Sequence, residues 1–330
     1  MTNFDPMAPQ SNAAQARTGT LHRVTLVTTD ADKTADFFCN AMLMRKTSDR
    51  VPNGASLAAY RKLWALGDCP AWREVLFDNA GGGSAVRLVE MQGGQVLRPQ
   101  LESRLSGGLS IGFPVASMEK TLARIGAQGI GTTAGIVPLE MKRPDGTSYI
   151  SGEIHFRGPE DVYILAVGRP PDLAPVGPID STTGIGNPAY SAMVVANSLQ
   201  EIAFYTEVLG WEARRNMELI SSGPAGGLGL APNTPFRFIQ LFSPGASSGY
   251  IVLLDMLKES RPNPVRPRFP NRGLMTWTFR TAHFDEVAGR IVAGAGGARM
   301  LCPPLPAGST TTRLLTALTP SGLIIEIEET

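Results

Sequence analysis

The spacing of hydrophobic and polar positions along this chain changes period in an order that repeats. In HRVTLVTTDADKTADFFCNAM, from His22 to Met42, Val24 and Leu26 alternate with Arg23, Thr25 and Val27 as in a half-buried strand. Asp30 then stands where a helix cap belongs, and the apolar residues after it fall on one helical face. The same strand, cap and helix return in LSIGFPVASMEKTLARIGAQGI, YSAMVVANSLQEIAFYTEVLGW and MTWTFRTAHFDEVAGRIVAGAGG, with starts spaced by roughly 80 to 87 residues. Short β-rich segments bounded by Gly, Pro, Asn or Asp follow each helix. They are WREVLF and AVRLVEM, then GIVPLEM, ISGEIHF and VYILAVG, then FRFIQLF and YIVLLDM, and last TRLLTAL and LIIEIEE. Each module therefore reads β-α-β-β-β, and the chain reads as an α+β protein of four modules.

Composition places the boundaries. GRPPDLAPVGPIDSTTGIG is rich in Pro and Gly and poor in large apolar residues, as a linker is. The expected organisation is a flexible polar tail over 1–19, a first domain over 20–168 from modules 1 and 2, a linker over 169–186, and a second domain over 187–330 from modules 3 and 4. One insertion stands out: SLAAYRKLWALG sets Leu57, Tyr60, Leu63 and Trp64 at helical spacing and predicts an extra helix over a cavity mouth.

Charge and cysteine content narrow the partners. Thirty Lys and Arg nearly cancel 29 Asp and Glu, so no whole-molecule field gathers nucleic acid or anionic lipid. No apolar run reaches the length of a membrane helix and the first residues lack a signal-peptide core, so the expected location is cytoplasmic. Cys39, Cys69 and Cys302 lie far apart without CxxC spacing and read as reduced thiols. The expected partner is a small-molecule ligand, with no nucleic acid and no membrane, and with homo-oligomerisation left open.

The four-module order and FYTEVLGW, an aromatic pair followed by Val-Leu-Gly at a helix end, resemble the vicinal oxygen chelate superfamily. That superfamily includes glyoxalase I, extradiol dioxygenases and bleomycin or fosfomycin resistance proteins. TPSGLIIEIEE is similar to the family's turn into an acidic last strand. The resemblance implies modules paired side by side, each pair a curved mixed sheet around a cavity with helices outside. It also implies where a divalent metal would be held: on first strands at Arg23, Ser110, Tyr190 and Thr276, and on last strands at Arg87, Leu165, Val252 and Glu326. Only Glu326 suits a metal, so no metal and no other cofactor is expected. His22, beside Arg23, falls by alternation on the helix-facing side with Val24 and Leu26 unless a bulge intervenes.

In ISGEIHFRG, Ile154 and Phe156 alternate with Glu153, His155 and Arg157, which puts the polar trio on the concave side. With Arg23 and Arg87 on that side of the same domain, guanidinium groups would hold an anion while His155, oriented by Glu153, transfers a proton. The second domain would offer an apolar lining from Tyr190, Ala192, Val252 and Leu254 with Thr276, Arg280 and Glu326 as polar points. The expected site is thus catalytic His155 and Glu153, with Arg23, Arg87, Ser110, Arg157, Tyr190, Thr276 and Glu326 contacting substrate. Three readings follow: a metal-independent isomerase or lyase-type protein acting on a small anionic or aromatic metabolite, a non-catalytic binding or resistance protein, and a metal-dependent lyase or dioxygenase.

Overall fold

Each repeat folds as its pattern dictates. The computed structural model describes residues 16–79, 82–142, 146–305 and 312–330. Module 1 contains β1 (Leu21–Thr28), α1 (Ala31–Asn40), β2 (Arg45–Arg50), the inserted α2 (Gly54–Leu63), β3 (Arg73–Asp78) and β4 (Ala85–Glu90). Module 2 contains β5 (Gly107–Pro114), α3 (Met118–Ala127), β6 (Thr132–Lys142), β7 (Ser148–Arg157) and β8 (Tyr163–Gly168). Module 3 contains β9 (Tyr190–Val195), α4 (Ser198–Phe204), β10 (Glu212–Ser222), β11 (Pro232–Phe242) and β12 (Tyr250–Asp255). Module 4 contains β13 (Gly273–Thr281), α5 (Phe284–Val292), β14 (Arg299–Leu305), β15 (Leu314–Leu318) and β16 (Ile324–Glu329).

Asp30, Ser117 and Asn197 cap α1, α3 and α4 by accepting the backbone N–H three residues on, which satisfies donors the helix cannot. FYTEVLGW continues α4 as one wider turn over Tyr205–Leu209 and stops at Gly210, whose left-handed backbone (φ 72°) suits glycine. Tyr205, Val208, Leu209 and Trp211 are all buried there. Arg17 donates to the carbonyls of Thr206, Glu207 and Val208 at this helix end, and Trp211 Nε1 donates to Thr18 Oγ1 at 2.9 Å. The expected tail is therefore packed structure at Arg17 and Thr18, while its residues 1–15 lie outside the described residues.

The sheets are not made from consecutive modules. One eight-stranded sheet runs β14-β15-β16-β13-β1-β4-β3-β2 and joins module 1 to module 4. The other runs β10-β11-β12-β9-β5-β8-β7-β6 and joins module 2 to module 3. Each has an antiparallel seam between first strands, Thr25 facing Thr276 in one and Ser110 facing Ala192 in the other. The expected pairing of module 1 with 2 and 3 with 4 is corrected: neighbours in sequence meet through their helices instead. Arg124 of α3 donates to the Ala41 carbonyl at the end of α1, at 3.1 Å. The convex faces and all the module helices share one continuous core that includes Val24, Phe38, Phe113, Phe156, Phe204, Trp277 and Phe279. Trp277 Nε1 of one sheet donates to Ser191 Oγ of the other at 2.9 Å. Burying that many large side chains at roughly 1.5–3 kcal/mol each is what fixes the two sheets back to back.

Candidate functional site

The concave face of the 1/4 sheet is filled from within the chain. Alternation turns Thr25, Arg87, Thr276, Thr278 and Glu326 onto it, and all five are buried. Arg87 Nη2 donates to Glu326 Oε1 at 2.7 Å, and Arg87 Nε to Thr25 Oγ1 at 3.0 Å. Thr278 Oγ1 donates to Glu326 Oε2 at 2.7 Å, and Arg23 stands 3.7 Å from the same oxygen. The end of α2 closes this cluster: Trp64 Nε1 donates to Glu326 Oε1 at 2.8 Å, and its ring lies under Arg87 and stacks on Phe269 at 4.2 Å. Burial alone would raise the Glu326 pKa, but Arg87, then Arg23, with the Thr278 hydroxyl, hold it down to about 2. Burial lowers the Arg87 pKa, but Glu326, then Tyr60 and Glu74, together outweigh it and raise it. What remains is a small polar recess of about 170 Å³ among Arg23, Ser48, Arg50, Tyr60, Glu74 and Arg87.

The 2/3 sheet instead encloses a cavity of about 400 Å³. Its walls are mostly apolar, with Leu109, Leu165, Val252, Leu254, Phe236 and Phe238 among them. Glu153 and His155 of β7 project into it, His155 Nε2 lying 2.8 Å from Glu153 Oε2. Because a carboxylate only accepts, Nε2 carries the proton in this pair. Tyr190 donates its hydroxyl to Glu153 Oε1 at 3.3 Å. Burial, and then Glu153, raise the Tyr190 phenol well above its ordinary pKa, so it stays a donor. The Glu153 side chain is 17% exposed against 4% for His155, so the carboxylate is the more accessible member.

Two glycines make this arrangement possible. Tyr190 lies across Gly112 on the neighbouring strand, where any Cβ would overlap its ring. Gly227, at φ 76°, packs on His155, and a Cβ there would stand 2.5 Å from Nδ1. Nδ1 itself is buried with no hydrogen-bond partner, and so is Oε1 of Gln240, a residue of β11 that lines the cavity and is 4% exposed.

No protein-family model matches this sequence, and no curated protein does. Among solved structures the chain is similar to glyoxalase I from Zea mays, with a TM-score of 0.62 and 12% identity over 94% of this chain and 92% of that one. It is also similar to a putative dioxygenase from Bacillus subtilis subsp. subtilis str. 168, with a TM-score of 0.56 and 13% identity over 96% of this chain and 86% of that one. The chain has the vicinal oxygen chelate fold.

Residues at the metal positions of that fold do not suit a divalent cation here. Among the described residues, no three His, Cys, Asp or Glu side chains stand together as a metal requires. In the 1/4 sheet Glu326 is already engaged by Arg87, Trp64 and Thr278. In the 2/3 sheet the corresponding Ser110, Leu165, Tyr190 and Val252 bring no imidazole or carboxylate. The thiols of Cys39 and Cys302 are raised by burial, away from thiolate reactivity.

The fold brings together Glu153, His155, Ser110 and Tyr190, all lining the larger cavity. It does not bring Arg23 and Arg87 to them: those arginines belong to the other sheet with Thr276 and Glu326. Arg157 lies outside the cavity, with a side chain 57% exposed and ion-paired to Asp161. A register shift between Leu21 and Arg23 takes His22 off the helix-facing side, so that it is half-buried near Arg23 and Arg280. Burial, then those two charges, lower its pKa to about 4. The sequence reading missed Gly112, Gly227 and Gln240. A glycine inside the strand pattern LSIGF is itself a sign of close approach, and pointed to Gly112.

Proposed function

We propose that the 2/3 cavity binds a small, largely apolar or aromatic carbonyl compound and moves a proton on it, with Glu153 as the acid/base. The observation that carries this reading is the carboxylate held between His155 and Tyr190 in an otherwise apolar chamber. Each Glu153 oxygen receives one hydrogen bond and keeps a lone pair for a substrate proton. In the step envisaged, Glu153 takes the proton of a C–H beside the carbonyl, and the electron pair of that bond moves onto the carbonyl oxygen. Returning the proton to another atom completes an isomerisation, without a co-reactant. Ser110 lines the same cavity and is the polar group for the developing oxyanion. His155 and Tyr190 then position Glu153 and steady its charge, which reverses the roles expected from sequence.

Incubating apolar ketones and oxo acids with the protein in deuterated water, and following C–H exchange by NMR, tests the step. Exchange by the wild type should fall at least a hundredfold in Glu153→Gln, while binding stays within roughly tenfold. A second reading, a binding protein without turnover, draws on His155 being 3% exposed and packed on Gly227, as a structural histidine would be. It is supported if compounds that bind the cavity undergo no exchange with the wild type, and that result overturns the first.

A further inference from the structure

The larger cavity is polarised along its length, which narrows the ligand beyond "apolar". Along β7 and β8 the register sets Arg157 opposite Tyr163, His155 opposite Leu165 and Glu153 opposite Val167, so Tyr149 and Arg169 fall toward the far end. There Arg169 donates from Nη2 to the Tyr149 hydroxyl at 2.9 Å and from Nη1 to the Ala174 carbonyl at 2.6 Å, and lies over the Tyr149 ring. Arg215, on the edge strand β10, reaches Met141 of the opposite edge strand β6 with Nη1 to Sδ at 3.7 Å, and Met141 pairs with Tyr149. The two edges of the curved sheet thus meet at this end, and each of modules 2 and 3 brings one half-buried arginine to it.

Gln240 is the register partner of Arg215, so its unpartnered buried oxygen belongs to the same neighbourhood. Tyr250 stacks on Tyr190 at 5.0 Å, and burial, then Glu153, raise its phenol pKa while Arg215 and Arg169 act against them, so these groups surround one ring. Glu140, another carboxylate among the lining residues, is exposed. Toward the other end the walls are Leu109, Leu254, Phe236 and Leu228, with Leu228 tied down by Ser103 donating to its carbonyl at 2.6 Å. Glu153 and His155 lie between the two ends.

Resting on the reading that this cavity is the ligand site, we infer that its ligand is a carboxylic acid with an apolar or aromatic body. Its carboxylate sits at the Arg169, Arg215 and Gln240 end, and its body lies against Leu109, Leu254 and Phe236. Guanidinium groups match a planar carboxylate and stay charged. A Gln240 amide rotated to present its N–H₂ would donate to the same carboxylate, or its oxygen would accept from a ligand hydroxyl. Held this way, the carbons of the ligand's body nearest its carboxylate come beside Glu153.

Calorimetric titration of the whole protein with phenylacetate and with phenylacetamide, equal in apolar size, tests this. The acid should bind at least tenfold tighter than the amide, and Arg169→Met or Arg215→Met should erase that preference. The comparison of the two probes on the wild type stands even if a variant misfolds. Equal binding of both probes, abolished together by Ala192→Trp on the cavity wall, overturns the carboxylate inference and leaves the cavity as the ligand site. Binding of either probe untouched by Ala192→Trp in a folded protein, or no binding of either, overturns both.

Discussion

Glu326 and Glu153 both turn a carboxylate onto a concave sheet face, and their partners place them in opposite surroundings. Glu326 is locked between two arginines, an indole and a threonine, and its pKa falls from the ordinary 4.5 to about 2. A carboxylate depressed on folding stabilises the fold above its unfolded pKa and loses that contribution as pH falls through the folded one. Acid titration of stability should therefore show a decline between about 4.5 and about 2, worth about 3 kcal/mol, that flattens in Glu326→Gln. That variant starts less stable, because Arg87 is left buried without its partner charge. His22, lowered from 6.5 to about 4, adds a decline of the same sign in the window between those values. Glu153, by contrast, is held by a neutral phenol and an imidazole. Gly112→Ala should push the Tyr190 ring off Glu153, costing about 1–3 kcal/mol in melting experiments and lowering proton exchange without touching the carboxylate. Strand alternation in ISGEIHF was enough to place Glu153 and His155 on one concave face. The roles proposed for them were not legible, because they rest on Tyr190 and Gly227, which come from another module.

At the level of elements, α2 decides which concave face stays open. The spacing of Leu57, Tyr60, Leu63 and Trp64 marked it as a helix, and the structure confirms one over Gly54–Leu63. The face it covers follows from a contact far away in sequence, Thr316 Oγ1 donating to the Leu63 carbonyl at 2.7 Å. Trp64→Ala should cost about 3–5 kcal/mol by cavity formation and strand Glu326 without its indole donor. Thermal unfolding measures the loss, and calorimetry should then reveal a weak second binding event for an aromatic probe. The FYTEVLGW turn was legible as a helix end from the resemblance of its aromatic pair and Val-Leu-Gly to the vicinal oxygen chelate superfamily. Its dependence on Arg17 was not, since a short segment flanked by polar residues carries no periodic signal of its own.

For the whole molecule, four modules could be counted in the sequence because the strand, cap and helix order survives in each. Their pairing could not be, because consecutive elements usually neighbour each other, and that expectation favoured module 1 with module 2. The seams that override it are β1 with β13 and β5 with β9, each joining strands from different halves of the chain. Cutting within 169–186 should therefore leave two pieces that lack both seams, unfolded when separate by circular dichroism and folded when mixed. Independent cooperative melting of each piece would contradict that pairing. The division of labour between an occupied sheet and an open one is tested most directly by a crystal structure of the protein with phenylacetate. The expected result is density in the 2/3 cavity beside Glu153, with Trp64 still on Glu326 in the 1/4 sheet. Ligand density against Arg87, with α2 displaced and the 2/3 cavity empty, would contradict it.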